Sequence, residues 1–390
     1  MDRKTLLAVL ALGMAGTVGL GIARFAYALV LPAMRSELGW SYSQAGWLNT
    51  TNAVGYLFGA LLAARAVDRS GARAVTVLGA ATCVVSLAAC GVLTDFVSLN
   101  LARVLAGLGG AFAFVGGGVL AARLAEHSPS NASRVLGIYY ASPGLGIALS
   151  GLVVPFLLKR FGFADWHLAW WALAGLCVPL VAWLVLGTRG SERPVPVRRS
   201  AHGRHVPAGW FTTGYFLFGA GYIGYMTFMV ARVRDGGGSA VDQGLFWATI
   251  GLGAVCSAWV WRGVMDRLSS GRAFGLLCLL TACGAAIPVA LDGVVFLFLS
   301  AALFGSAFFA VVASTTVFVR RNYPHAAWAS GIGRMTVAFG AGQIVGPIGV
   351  GWVNDLAGGL SLGLGLSAAL LAVGAGLAAA QRDRLPASRA

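Results

Sequence analysis

The chain reads as long apolar runs separated by short polar stretches. Twelve runs can be placed, at about residues 5–33, 44–66, 74–93, 97–121, 133–157, 166–187, 209–231, 241–262, 273–291, 294–319, 326–350 and 360–381. Each is about as long as the roughly 20 residues that carry a helix across a bilayer. The expected fold is therefore an all-α integral membrane protein of twelve transmembrane helices. Composition agrees, because 58% of the 390 residues are hydrophobic and 11% are charged. A soluble domain carries about 25% charged residues. A soluble protein with several buried helices would need a polar surface that this chain lacks.

One polar stretch is much longer than the rest. "GTRGSERPVPVRRSAHGRHVPAG", from Gly187 to Gly209, is rich in Pro, Arg and Ser and has no apolar period. Such composition marks a linker. It sets the expected organisation: a six-helix half over 1–187, a cytoplasmic linker over 188–208 and a second six-helix half over 209–390. The halves echo each other. After span 2 come Asp68, Arg69, Gly71 and Arg73; after span 8 come Asp266, Arg267, Gly271 and Arg272. Spans 5 and 11 are both rich in glycine and proline, as "GIYYASPGLGIALSG" and "GAGQIVGPIGVG". Repeats on this scale mark transporters whose site lies between the halves.

The net charge of +15 suggests nucleic acid until the charges are placed. With a cytoplasmic N-terminus, the inside carries 19 Lys and Arg residues and the outside five: Arg35, Lys159, Arg160, Arg232 and Arg234. That is a positive-inside bias. It predicts a bacterial cytoplasmic (inner) membrane protein with both termini and the linker in the cytoplasm, touching anionic lipid and no nucleic acid. The first run is too long for a signal peptide and no cleavage site follows it. Cys83, Cys90, Cys177, Cys256, Cys278 and Cys283 all fall in the spans and form no CxxC, so they read as small buried side chains. His202 and His205 lie in the linker. No metal, cofactor or enzyme activity is expected. The sequon at Asn131 falls in a cytoplasmic loop and is discounted.

The chemistry sits inside the spans. Arg24, in "GIARFAYALVLP", lies about 7 Å to the outer side of the middle of span 1 at roughly 1.5 Å per residue. Arg334 lies about eight residues into span 11. No Asp or Glu falls at mid-depth to neutralise either one. An unpaired buried charge is very unfavourable, so backbone carbonyls, water or an anionic substrate must satisfy them. Arg24 is thus part of an anion site or a structural arginine. Arg103, about six residues into span 4 from the outer side, is costly there unless it is paired or faces water, and from the residues alone it reads as a structural arginine bonding helix carbonyls. Candidate cavity walls are Tyr27, Tyr56, Tyr139, Tyr140, Tyr222, Tyr225, Trp247 and Phe339, with Asn49 and Asn52, since mid-depth polar tips need partners. The glycine runs in spans 4 and 11 suit close helix packing rather than phosphate binding.

The loop from Asp68 to Arg73 resembles the signature loop of the major facilitator superfamily, with Ala64 where a glycine is usual. "RVLAGLGG", from Arg103, is similar to its second motif. The opening "GIARFAYALVLPAMRSELGWSYSQAGWL" resembles the YbfB/YjiJ-type branch. The resemblance implies two pseudo-symmetric halves around a cavity lined by spans 1, 4, 7 and 10, with 2, 5, 8 and 11 beside them. It further implies a cytoplasmic gate at Asp68, Arg69, Arg73, Asp266 and Arg267, and a role for Arg103 in coupling proton movement to transport. The expected function is a monomeric secondary active transporter for a small solute, an organic anion, working by alternating access. The alternative is proton-coupled efflux of amphipathic drugs or metabolites, which usually uses the mid-depth carboxylate missing here.

Overall fold

The computed structural model describes residues 1–162, 165–190 and 208–381, the side chains of 270, 326 and 329 aside. It is all-helical. Helices α1 (Arg3–Gly16) and α2 (Tyr27–Leu38) form the first span, joined through a π-helical turn over Thr17–Ile22. Then follow α3 (Tyr42–Ser70), α4 (Ala72–Cys90), α5 (Phe96–Glu126), α6 (Ala132–Phe161) and α7 (Trp166–Gly187). The second half holds α8 (Gly209–Asp235), α9 (Ala240–Val260), the short α10 (Arg262–Arg267), α11 (Ser270–Ala290), α12 (Val294–Asn322), α13 (Trp328–Ala357) and α14 (Ser361–Ala380). Twelve membrane-length rods result, matching the twelve apolar runs. Among the described residues, eleven are apolar enough to be recognised as spans by composition. The exception is α3, where Asn49, Thr50, Thr51 and Asn52 fall together.

Local signals set the boundaries. Ser41 caps α3, accepting from the Gln44 backbone while the Gln44 side chain accepts from Ser41. This reciprocal cap satisfies two amides that the first helical turn leaves free. Between α3 and α4 the chain turns at Gly71 with φ of +82°, a conformation costly for any side chain. Pro143 and Pro155 lie inside α6, which nevertheless runs unbroken over Ala132–Phe161. The expected linker falls largely outside the described residues, as do residues 382–390.

Packing repeats between the halves. In the first, α3 and α4 pack on α5, α1 on α6, and α4 on α7; in the second, α9 and α11 pack on α12, α8 on α13, and α11 on α14. The halves meet along two seams, α3 with α13 and α6 with α9, and also where α2 meets α8. Spans 1 and 7 are the most enclosed, with 78% and 83% of their apolar windows buried, against 33% for span 6. Cys256 and Cys283 are exposed on their helices, contrary to the expectation that all six cysteines are buried.

Each span crosses from the end bearing the chain termini to the far end, or back. Both seams are tight at the far end. A Cβ built on Gly46 would lie 2.3 Å from the Pro347 oxygen, and one on Gly351 would lie 2.6 Å from that of Tyr42. In the other seam, a Cβ on Gly244 would lie 2.5 Å from the Gly151 oxygen. Toward the terminal end backbone contact gives way to side chains: a Cβ on Gly340 would lie 2.9 Å from the Leu57 side chain, and one on Gly137 would come no nearer than 4.0 Å to the Trp259 ring. The seams are tightest at the far end and looser toward the terminal end.

Candidate functional site

The first span breaks where its arginine sits. Residues 17–22 wind as a π-helix and 23–26 as turns, so Ala23 N–H donates to Val18 and Phe25 N–H to Leu20, one residue beyond the α-helical pattern. Ala28 N–H bonds the Phe25 carbonyl instead of that of Arg24. The carbonyls of Ala23 and Arg24 are thereby released. The guanidinium of Arg103, wholly buried, takes both, with Nη1 to Ala23 at 2.6 Å and Nη2 to Arg24 at 3.1 Å. The Tyr27 ring lies 5.2 Å from the same guanidinium, with Trp170 at 5.9 Å. Arg103 therefore grips the backbone of the break.

Arg24 itself is 4% exposed. Its guanidinium sits 4.8 Å over the Tyr56 ring and 5.8 Å from that of Phe25, and the Tyr222 hydroxyl faces it. Among the described residues no carboxylate pairs with it. A desolvated cation–π contact contributes about 2 kcal/mol. Removing a guanidinium from water costs several kcal/mol even after relaxation. The aromatic contact alone leaves the charge under-compensated.

Around Arg24 the second half supplies a stack of rings. Phe339 lies 4.7 Å from Tyr215 at 12° and 5.6 Å from Tyr222 at 10°. Phe218 and Phe308 continue the stack, at 5.1 Å and 6.0 Å from Tyr222. Gln343 is buried and donates through its amide to the Tyr222 hydroxyl. Its Oε1 has no partner among the described residues. Tyr140, 51% exposed, stands edge-on to Phe114 nearer the terminal end. Sequence reading passed over Gln343 because it took the run "GAGQIVG" as packing; a lone amide among glycines at mid-span was the available signal.

Several expected wall residues are turned inward within the protein, and here the structure corrects the sequence. Tyr27 donates to the Ala45 carbonyl at 2.7 Å, and Tyr139 to that of Phe114 at 2.6 Å. Tyr225 bonds Ser300 at 2.7 Å. Asn52 donates to the Arg103 carbonyl at 3.1 Å, holding α3 to α5. Trp247 donates to Ser150 at 3.3 Å inside the α6–α9 seam. All five are at most 1% exposed. Each makes its bond inside the protein rather than into a cavity, although Asn52 Oδ1 has no partner among the described residues.

Arg334 is likewise not beside Arg24. It is half-buried near the terminal end, and its Nε donates to Ser330 of its own helix at 3.4 Å. Burial raises the Tyr323 phenol above its usual value, and the nearby Arg334 charge opposes that rise. Among the described residues, the bonds found at the expected gate residues stay within one half. Asp68 and Arg69 are exposed, with no hydrogen bond or ion pair among the described residues. Arg73 donates to Thr188 and to the Val185 carbonyl in its own half. Asp266 pairs with Arg262 at 3.7 Å, and Arg267 is exposed.

The ties between the halves gather toward the far end. Asp355, near the end of α13, accepts from the Tyr42 and Ser43 backbone amides at 2.7 Å and 2.9 Å, and from the Ser43 hydroxyl. Arg234 donates to the Pro32 carbonyl at 2.8 Å. Deeper in, Asn49 Nδ2 donates to the Thr227 hydroxyl at 2.7 Å, while Asn49 Oδ1 accepts from Arg103 at 3.4 Å.

Comparison with known proteins agrees with this architecture. A family profile described as "Uncharacterised MFS-type transporter YbfB" matches residues 16–379. The 4-hydroxybenzoate transporter PcaK of Pseudomonas aeruginosa is 26% identical over 85% of this chain and 84% of its own. The MFS-type transporter YceJ of Bacillus subtilis is 26% identical over 64% of each chain. Among solved structures, the nucleoside transporter NupG superposes with a TM-score of 0.73 at 15% identity, over 95% of this chain and 98% of that one. A bacterial homolog of the human lysosomal transporter Spinster, in an inward-facing and occupied conformation, gives 0.75 at 15% identity over the whole of both chains.

Proposed function

Because the chain belongs to the YbfB-type family of the major facilitator superfamily, and is thus a multi-pass membrane transporter, we propose that it carries a small organic anion, foremost an aromatic carboxylate, by alternating access. The observation that carries this reading is Arg24: a nearly buried cation over an aromatic ring with no carboxylate partner among the described residues. A substrate carboxylate there supplies the missing charge through charge-assisted bonds. The flat stack of Tyr215, Phe339, Tyr222 and Phe218 suits an aromatic ring. Gln343 Oε1 and the Tyr222 hydroxyl offer bonds to a polar substituent. PcaK, whose name gives 4-hydroxybenzoate as its substrate, has that chemistry.

The transporter works as a monomer in the bacterial cytoplasmic membrane, with its termini in the cytoplasm as the charge bias favours. The looser terminal end is then the inward side. Asp68, Arg69, Arg73, Asp266 and Arg267 stand at that side and close it in the opposite state. Arg334 and Tyr140 flank the route inward. Arg103 acts on Arg24 through the backbone it holds. The drug-efflux alternative finds no support, since every described Asp and Glu lies at or near a helix end.

The test is calorimetric binding of benzoate and 4-hydroxybenzoate to purified protein, with benzamide as a neutral isostere and acetate as a non-aromatic acid. Benzoate should bind, with benzamide and Arg24→Gln each weaker by about tenfold to a hundredfold, the equivalent of 1.5–3 kcal/mol for a charged hydrogen bond. Arg24→Gln should keep or raise the melting temperature, because an under-compensated buried charge is removed. Equal affinity for benzamide and benzoate, or benzoate binding unchanged in a folded Arg24→Gln protein, would sink the anion reading.

A further inference from the structure

The five cations at the far end are held very differently. Arg35 lies 3.6 Å over the Tyr42 ring. Arg232 pairs with Asp292 at 3.1 Å, and Arg234 is bonded to Pro32. Lys159 and Arg160, adjacent at the end of α6, are exposed and have no hydrogen bond or ion pair among the described residues. Arg160 merely rests 5.6 Å from the Phe161 ring. The positive-inside tendency disfavours cations at this end, so an uncompensated pair here needs a reason.

The pair rims a groove of about 460 Å³ between α6 and α9. Its walls include Leu152 and Phe156 on α6, and Val241 and Leu245 on α9. These four are 46–66% exposed. Asp242, the nearest acid along α9, is folded into its own helix cap and accepts from the Ser239 amide and hydroxyl. The groove thus joins apolar walls at membrane depth to two uncompensated positive charges at the membrane edge.

We propose that this groove binds an anionic phospholipid, with its headgroup phosphate between Lys159 and Arg160 and an acyl chain along the apolar walls. Charge complementarity selects an anionic over a zwitterionic headgroup. One wall belongs to each half, and the walls touch through Gly151 and Gly244 at the floor. Rocking of the halves moves one wall against the other. A lipid fitted to both walls favours the closed far end, making the groove a regulatory site separate from Arg24.

Native mass spectrometry of the full-length protein, titrated with phosphatidylglycerol or phosphatidylcholine, tests this. Wild type should retain phosphatidylglycerol preferentially. Lys159→Gln/Arg160→Gln should lower its affinity by roughly thirtyfold, at about fivefold per basic residue. Arg3→Gln/Lys4→Gln, at the terminal end, should leave the preference intact. Leu245→Trp, which fills the groove without touching charge, should weaken both lipids and carries the test if the double variant does not fold. The proposal falls if the terminal-end control loses the preference equally, or if Leu245→Trp binds like wild type. It falls too if glycerol 3-phosphate displaces the lipid at matched concentration, or if the protein dimerises through this face instead of holding lipid.

Discussion

The far end and the terminal end of the bundle are built from the same repeat, yet they differ in how their polar groups are spent. At the far end Asp355 caps α3 across the seam and Asn49 reaches Thr227, while both terminal nitrogens of Arg103 are bonded to carbonyls of the break. Among the described residues, Asp68 and Arg69 at the terminal end project without partners, and between the two ends Arg24 has aromatic rings but no counter-charge. Unspent polar groups mark the surfaces whose partners arrive in the next state. Under the alternating access proposed above, the far-end bonds break and the terminal-end groups find one another as the site changes sides. On that proposal the two ends describe one half of the cycle.

The largest effect is expected from removing the grip on the break in span 1. Arg103→Leu leaves the Ala23 and Arg24 carbonyls and Asn49 Oδ1 without donors in a dry interior. Replacing a buried charge by an apolar side chain can be neutral when its partners leave too. Here three acceptors stay behind, each costing about 1–3 kcal/mol. A net loss of about 3–5 kcal/mol follows, seen as a sharply lower melting temperature and poor recovery from the membrane. Arg103→Lys should recover part of it, since one ammonium cannot span both carbonyls and the amide. An Arg103→Lys protein as stable as wild type but unable to drive transport would restore the coupling role that the family resemblance assigns to Arg103.

Span number was legible because apolar runs of membrane length are a one-dimensional signal. The seams were legible only as glycine-rich stretches, since a glycine's partner lies on another helix. The break in span 1 left no proline before Pro32; it depends on α6, where a Cβ on Gly21 would lie 2.4 Å from the Pro143 oxygen. Helical phase decided the site. Tyr139 and Tyr140 are adjacent, yet one is buried against Phe114 and the other is half exposed. No periodicity argument separates them when the span is apolar on every side. The lack of a mid-depth acid was readable, and it is what singled out Arg24.

An intermediate effect is expected at the far-end latch. Asp355 caps α3 from the opposite half, so Asp355→Ala removes a cap and a cross-seam tie together. A cap contributes about 0.5–2 kcal/mol. Because the bond exists only with the far end closed, its loss should raise the far-open population by roughly twofold to thirtyfold. Spin labels at Ser36 and Leu291, with the exposed Cys256 and Cys283 replaced, should report a longer distance component. No change in that distribution would make Asp355 a local cap without a gating part.

The smallest effect, and the finest test of the contrast between the ends, is Thr227→Val. Valine keeps the shape of threonine and removes only the hydroxyl that Asn49 Nδ2 reaches at 2.7 Å. Thr227 also donates to Ile223 in its own helix at 2.6 Å, a carbonyl that remains within the helical ladder. What is lost is one buried tie between the halves, about 0.5–1.5 kcal/mol. The tie is made in the far-closed state, so the population should move toward far-open by about twofold to tenfold, in the same direction as Asp355→Ala. Asn49 and Asp355 act on different turns of α3, so Thr227→Val and Asp355→Ala should add within about 0.5 kcal/mol. The Ser36–Leu291 distance distribution measures both. A Thr227→Val protein shifted toward the far-closed state would mean the hydroxyl serves the opposite conformation, and the far end would no longer be the side whose bonds hold the cycle.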